Sequence, residues 1–270
     1  MKKIPLILTI VLLLALFVAG TALAITNGGE DGDGHPYVGL MVADDVDGNP
    51  LWRCSGTLIS PTVFLTAGHC TEAPAARATI WFEADVQSGI PDNGYPFGGP
   101  TSVDGTTFTH PQYNPAAFYL YDLGVVVLDE PVSMSEYGEL PDLGVLDGIK
   151  GKDKKAALTA VGYGLQEINP NRFTGERVRL VAALELINTK GVFGVPRGTS
   201  IKVSGSGVGG DSSNSGGTCF GDSGGPQFLA GTNIVAAVSS FGINGNCAGT
   251  GGGYRVDQAD DLEWLATFLP

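Results

Sequence analysis

The sequence predicts an all-β protein, a sandwich or a barrel, on two observations. Apolar and β-branched residues recur in short runs bounded by glycine, proline, asparagine and aspartate, as in strands joined by turns. Only the C-terminal segment carries a good helical pattern, with Leu262, Leu265, Phe268 and Leu269 forming an apolar stripe.

The elements follow in chain order. Met1-Lys2-Lys3, an apolar run from Ile4 to Val18, and Ala22-Leu23-Ala24 read as a secretory signal peptide over 1–24, cleaved before Ile25. The run is broken by Pro5 and Thr9 and is short for a membrane span of about 20 residues. The rest of the chain, 25–270, holds no later stretch apolar enough to cross a membrane. It starts with an acidic, glycine-rich turn through Gly34. Strands are expected over Tyr37–Ala43, Leu51–Ser60 and Thr62–Ala67, with Asp44–Pro50 a turn and Pro61 a break. Further strands fall at Ala78–Glu83, Thr106–Thr109 and the β-branched run Asp122–Leu128. Residues 131–155 read as a connector. Strands resume at Ala156–Gly162, Glu176–Ile187 and Asn233–Phe241, with Gly249–Gly253 as permissive backbone. Val208–Gly217 is read as a loop shaping a pocket. Asp257 is the expected helix cap, and Asp260 and Asp261 favour the first turn.

Charge and cysteines bound the function. The chain carries 15 Lys and Arg against 28 Asp and Glu, net −13. Phosphate contacts need basic side chains, so nucleic acid is excluded as a partner. Four cysteines in an exported chain read as two disulfides. Three pairings are open, and pairing nearest in sequence gives Cys54–Cys70 and Cys219–Cys247. The cysteines lack CxxC spacing and there are three histidines, so no metal and no cofactor is expected. The acidic loop Glu83–Asp92 is read as a solvated turn rather than a calcium loop.

Gly221-Asp222-Ser223-Gly224-Gly225-Pro226 sets a serine among small residues, where backbone bends sharply and a substrate carbonyl can approach. A serine nucleophile needs a base, and the base needs an orienting acid. His35 and His110 each precede a proline in a turn and read as surface or structural. His69 ends a strand beside Cys70 and is the candidate base. Asp122 opens an apolar strand, where an acid wants a partner. The segment also fits the G-x-S-x-G elbow of lipases, but that fold needs a histidine after the serine, and none follows Ser223.

Taken together these segments resemble the chymotrypsin/trypsin family of serine endopeptidases. Thr66-Ala67-Gly68-His69-Cys70 is similar to its histidine motif, Asp122-Leu123-Gly124-Val125 to its aspartate motif, and Gly221–Pro226 to its serine motif. Val161-Gly162-Tyr163-Gly164 and Ser240-Phe241-Gly242 resemble segments of its second half. The resemblance implies two packed six-stranded antiparallel β-barrels, over about 25–135 and 150–256, and a C-terminal helix over 257–269. It implies a secreted, monomeric hydrolase acting on protein or peptide substrates through His69, Asp122 and Ser223, with the N–H groups of Gly221 and Ser223 as oxyanion hole. It pairs a freed Ile25 amine with Asp222, although Ile25-Thr26-Asn27-Gly28 matches the family's mature start only partly. It places Gly217 at the base of the substrate pocket, with Thr218, Ser240, Phe241, Gly242 and Gly252 around it. An uncharged pocket implies cleavage after large apolar or aromatic residues, unless Asp211 folds inward. The alternative is a catalytically inactive relative acting as a binding protein.

Overall fold

The computed structural model describes residues 25, 28–154, 157–169, 172–191, 198–204, 216–247 and 249–270. The expected signal peptide and Asp211 lie outside the described residues. After a two-residue strand β1 (Gly29–Glu30), six strands form the first barrel: β2 (Val38–Asp44), β3 (Pro50–Ser60), β4 (Val63–Thr66), β5 (Arg77–Trp81), β6 (Ser102–Thr109) and β7 (Gly124–Leu128). They close in the order β2-β3-β4-β7-β6-β5, every pair antiparallel. A one-turn helix, α1 (Gly68–Thr71), follows β4.

The second half contributes β8 (Leu158–Gly162), a hairpin of β9 (Glu167–Asn169) and β10 (Arg172–Thr174), then β11 (Leu180–Asn188), β12 (Ser200–Ser204), β13 (Pro226–Leu229), β14 (Val235–Gly242) and β15 (Thr250–Arg255). Strands β8-β11-β12-β15-β14-β13 close into a second antiparallel barrel, because β8 pairs with both β11 and β13. Strand β1 adds to the edge of β11. Helix α2 (Ala259–Ala266) follows. The fold is the expected pair of barrels with a terminal helix.

Each barrel has its own core. Leu40, Phe64, Ile80 and Trp81 fill the first, and their cluster runs on through Val161, Tyr163 and Phe228 to Leu265. Leu158, Leu184, Ile201 and Val203 fill the second. Removing each such side chain from water contributes about 1.5–3 kcal/mol. Leu262 and Trp264 of α2 pack on the first cluster, which explains the apolar stripe.

Three local expectations change. Asp44 ends strand β2 rather than opening a turn, and its carboxylate accepts from Thr79 Oγ1 at 3.1 Å. The glycines at 251–253 are strand β15. Their bare Cα atoms admit neighbouring side chains: a Cβ on Gly253 would stand 2.6 Å from Gln227 Oε1. The helix is capped at Gln258, because Asp257 is taken up by Arg255 and by the Leu146 N–H. Among the described residues no helix is long and apolar enough to cross a membrane.

Candidate active site

His69 stands on α1, directly after β4. The turn is closed locally by Thr71 Oγ1 donating to the Gly68 carbonyl at 3.1 Å. The Cys54–Cys70 disulfide ties it to β3, and Trp52 Nε1 donates to the Cys70 carbonyl at 3.0 Å. The second disulfide joins Cys219 to Cys247. Cys54 and Cys70 lie within reach of the imidazole, but sulfurs bonded to each other are not thiolate ligands for a metal.

Asp122 precedes β7 and is fully buried. Its Oδ1 accepts the His69 backbone N–H at 2.9 Å, and its Oδ2 lies 3.0 Å from His69 Nδ1. Ser240 Oγ, from β14, donates a short hydrogen bond to the same Oδ2. A buried carboxylate needs such a set of donors. An ionised carboxylate only accepts, so Nδ1 carries the proton and Nε2 is left with a lone pair. Burial works to lower the His69 pKa. The charge and hydrogen bond of Asp122, with Glu72 adding, outweigh it and hold the pKa above the ordinary histidine value.

Ser223 lies on a loop gripped from both barrels. Its carbonyl accepts from the Ser55 N–H of β3 at 2.8 Å. Ser55 Oγ donates to the Gly221 carbonyl at 2.8 Å and accepts from the Tyr163 N–H at 3.0 Å. Gly224 follows at φ +76°, and a Cβ there would stand 2.0 Å from Thr66 Oγ1. Only glycine combines that backbone with that approach. Among the described residues neither the Gly221 nor the Ser223 N–H donates to a protein acceptor, so both are available to an external oxygen. No hydrogen bond joins Ser223 Oγ to the imidazole, a common condition of unliganded catalytic pairs.

His69 and Ser223 open into one cavity of about 400 Å³. Thr218, Ser240, Phe241 and Gly242 line it. Phe220, Asn244 and Gly245 also line it, and nothing in their residue types marks them. Gly217 and Gly252 do not reach its wall. Both are buried, and Phe241 lies opposite Gly252 in the β14–β15 register. Its ring covers Gly252 so closely that a Cβ there would stand 2.3 Å from the ring edge. No carboxylate or basic group apart from His69 lines the cavity among the described residues.

Asp222 is fully buried. Its two oxygens accept from the Gly164 and Cys219 N–H groups, both at 2.8 Å. Burial pushes its pKa up to about 6, against the pull of those two N–H groups and of the Arg53 charge. The structure does not bring Ile25 to it. Ile25 packs in the second-barrel core with Leu146 and Leu180.

Comparison with known proteins agrees with this geometry. The family model described as Trypsin matches residues 27–262. A trypsin of Saccharopolyspora erythraea is 28% identical over 225 residues, covering 80% of this chain and 86% of that protein. Brachyurin of Leptuca pugilator is 26% identical, covering 78% and 83%. Among solved structures a collagenase, HL collagenase, superposes with a TM-score of 0.67 at 22% identity, covering 90% of this chain and 97% of that one. Human heparin binding protein superposes at 0.64 and 18% identity, covering 91% and 98%. With the two barrels, the His69–Asp122 pair and the glycine-framed Ser223 in place, the match over 27–262 shows that the chain belongs to the chymotrypsin/trypsin family of serine proteases.

Proposed function

We propose that the protein is a secreted serine endopeptidase that cleaves through an acyl-enzyme formed on Ser223. The observation that carries this reading is the buried Asp122 carboxylate, which fixes the His69 ring with Nε2 free beside Ser223 in a shared cavity. Ser223 Oγ attacks the scissile carbonyl and its proton passes to His69 Nε2. Asp122 stabilises the imidazolium, which then gives the proton to the leaving amine. The Gly221 and Ser223 N–H groups receive the oxyanion, at about 3–4 kcal/mol of transition-state stabilisation per donor. Water repeats the sequence to release the acid.

The uncharged cavity walled by Phe241 and Phe220 supports cleavage after large apolar or aromatic residues. Removal of residues 1–24 supplies the Ile25 amine, which moves to Asp222 and fixes the oxyanion loop. The mass of the secreted protein tests this step, and a start elsewhere sinks it.

An organophosphonate that phosphonylates activated serines tests the activity itself. Adduct formation in the mature protein and its loss in Ser223→Ala are expected, read by intact mass. A protein that begins at Ile25 and takes no label is instead the inactive binding relative.

A further inference from the structure

A second cavity, of about 660 Å³, lies on the other side of the oxyanion segment. Arg53, Tyr95, Leu165, Gly175, Glu176 and Arg177 line it. Two contacts fix its place. The Leu165 N–H donates to the Phe220 carbonyl at 2.9 Å. A Cβ on Gly221 would stand 3.1 Å from Arg53 Nε and 3.2 Å from its Nη2. The Phe220–Gly221 backbone therefore separates this cavity from the one that holds His69 and Ser223. Arg53 thus stands behind the segment that carries Ser223.

The two arginines differ from the other arginines whose side chains are described. Arg77, Arg179 and Arg255 are each ion-paired with aspartates. Arg53 and Arg177 make no salt bridge among the described residues, although carboxylates outnumber basic groups nearly two to one. Arg53 Nη1 donates to the Gly175 carbonyl at a long 3.3 Å, and the guanidinium also meets the Tyr95 side chain and feels the charge of the buried Asp222 behind it. Arg177 lies over the Tyr95 ring at 5.1 Å and gives Nη1 to Gln87 Oε1 at 3.0 Å. Its Nε is buried without an acceptor. A buried guanidinium donor with no partner is costly unless something completes it. Glu176, the one acid on the cavity wall among the described residues, is exposed and forms no salt bridge with either arginine.

We propose that this cavity is a leaving-group subsite that selects an acidic side chain, Asp or Glu, in the first residues after the scissile bond. Two guanidiniums facing one cavity suit a carboxylate, which each can meet through paired N–H groups. The proposal rests on the peptidase reading above. The chain's overall charge of −13 repels acidic peptides, so a preference for them must come from a local site.

The test uses the mature protein and C-terminally amidated peptides that differ only in Glu or Lys at each of the first three positions after the cleaved bond. The ratio of kcat/KM for Glu over Lys is expected to be about tenfold or more at one position, the scale of a well-formed ion pair. In Arg177→Glu that ratio is expected to fall below one. It is read within each variant, so a general loss of activity cancels. A wild-type ratio near one, or one unchanged in Arg177→Glu, overturns the proposal. Phosphonate labelling of the same preparation reports separately on the peptidase reading. Where labelling fails, affinity of the fluorescent Glu and Lys peptides for the protein replaces turnover. Equal binding then overturns the acidic subsite on its own account.

Discussion

At the scale of single residues, the pair His69–Asp122 makes a pH-dependent prediction. Asp122 holds the imidazole pKa above its ordinary value, and the proposed base works only when neutral. Activity is therefore expected to fall as pH drops through that raised pKa. In Asp122→Asn the charge is gone, so the acidic limb of a kcat/KM–pH profile moves to lower pH. At neutral pH kcat falls about 10⁴-fold, because an amide facing Nδ1 no longer fixes the productive tautomer. A limb that stays in place would show that Asp122 does not set the base. The candidates His69 and Ser223 stand out in the sequence because their neighbours are small or disulfide-bonded, and Asp122 because it opens an apolar strand. Ser55 is not legible. It lies inside an ordinary strand run, yet its N–H and hydroxyl bind Ser223, Gly221 and Tyr163 across a gap of more than a hundred residues. Ser240 reads from sequence as pocket wall, and the structure also gives its hydroxyl to Asp122.

At the scale of elements, the strands that read clearly are those with dense β-branched and apolar runs, β3 and β7 above all. Strand β12 has two polar residues facing out, β13 begins at Pro226, and β15 is half glycine. Their pairing comes from barrel closure rather than from local propensity, so a local reading passes over them. Helix α2 shows the same contrast. Its apolar stripe is visible, but Asp261 is not the solvated first-turn acid that helix rules suggest. It is fully buried, accepts from Tyr254 and Gln258, and lies 3.7 Å from His110 Nε2. Burial pushes its pKa up to about 7, with Asp260 and Asp257 adding to the rise and Tyr254 and Gln258 opposing it. The folded state thus binds the proton more tightly than the unfolded chain. That stabilisation is complete below the unfolded value near 4 and is lost as pH rises to about 7. Buried His110, whose pKa burial lowers, works in the opposite sense below its own ordinary range. Asp261→Asn keeps an acceptor for Tyr254 and removes the charge. It is expected to raise stability at pH 8 by on the order of 2 kcal/mol and to change it little at pH 4. Thermal unfolding at the two pH values checks this, and an equal effect at both would refute the titration argument.

At the scale of the whole molecule, the site exists only while two barrels stay registered, since the proposed base and acid come from the first and the nucleophile from the second. Beyond the apolar cluster that crosses between them and the hydrogen bonds of Ser55 and of Ser240 with Asp122, the buried Arg179 side chain adds to that register. Arg179, leading into β11, pairs with Asp31 at 2.9 Å and donates to the carbonyls of Val38 and Phe82 in the first barrel, to that of Gly32, and to Tyr163 Oη. Asp31 is also bound by His35, whose ring stacks on Phe228 of the second barrel. Burial works to raise the Asp31 pKa, but His35 and Arg179 together hold it below the usual carboxylate range. Its contribution to stability is therefore present above the unfolded value and lost as pH falls through the folded one. Arg179→Met keeps the stem and removes the charge, leaving Asp31 and three carbonyls short of a donor. The expected cost is about 3–5 kcal/mol at neutral pH, shrinking towards pH 3 as Asp31 is protonated. Urea unfolding followed by tryptophan fluorescence and by phosphonate labelling of Ser223 checks the cost and its reach. Trp52 and Trp81 report on the first barrel, Trp264 on the terminal helix packed against its cluster, and the label on the nucleophile loop of the second. If Arg179 ties the whole molecule, both midpoints move down together in the variant. If labelling is lost at a lower urea concentration than fluorescence, the two barrels do not unfold as one unit and Arg179 does not tie them together.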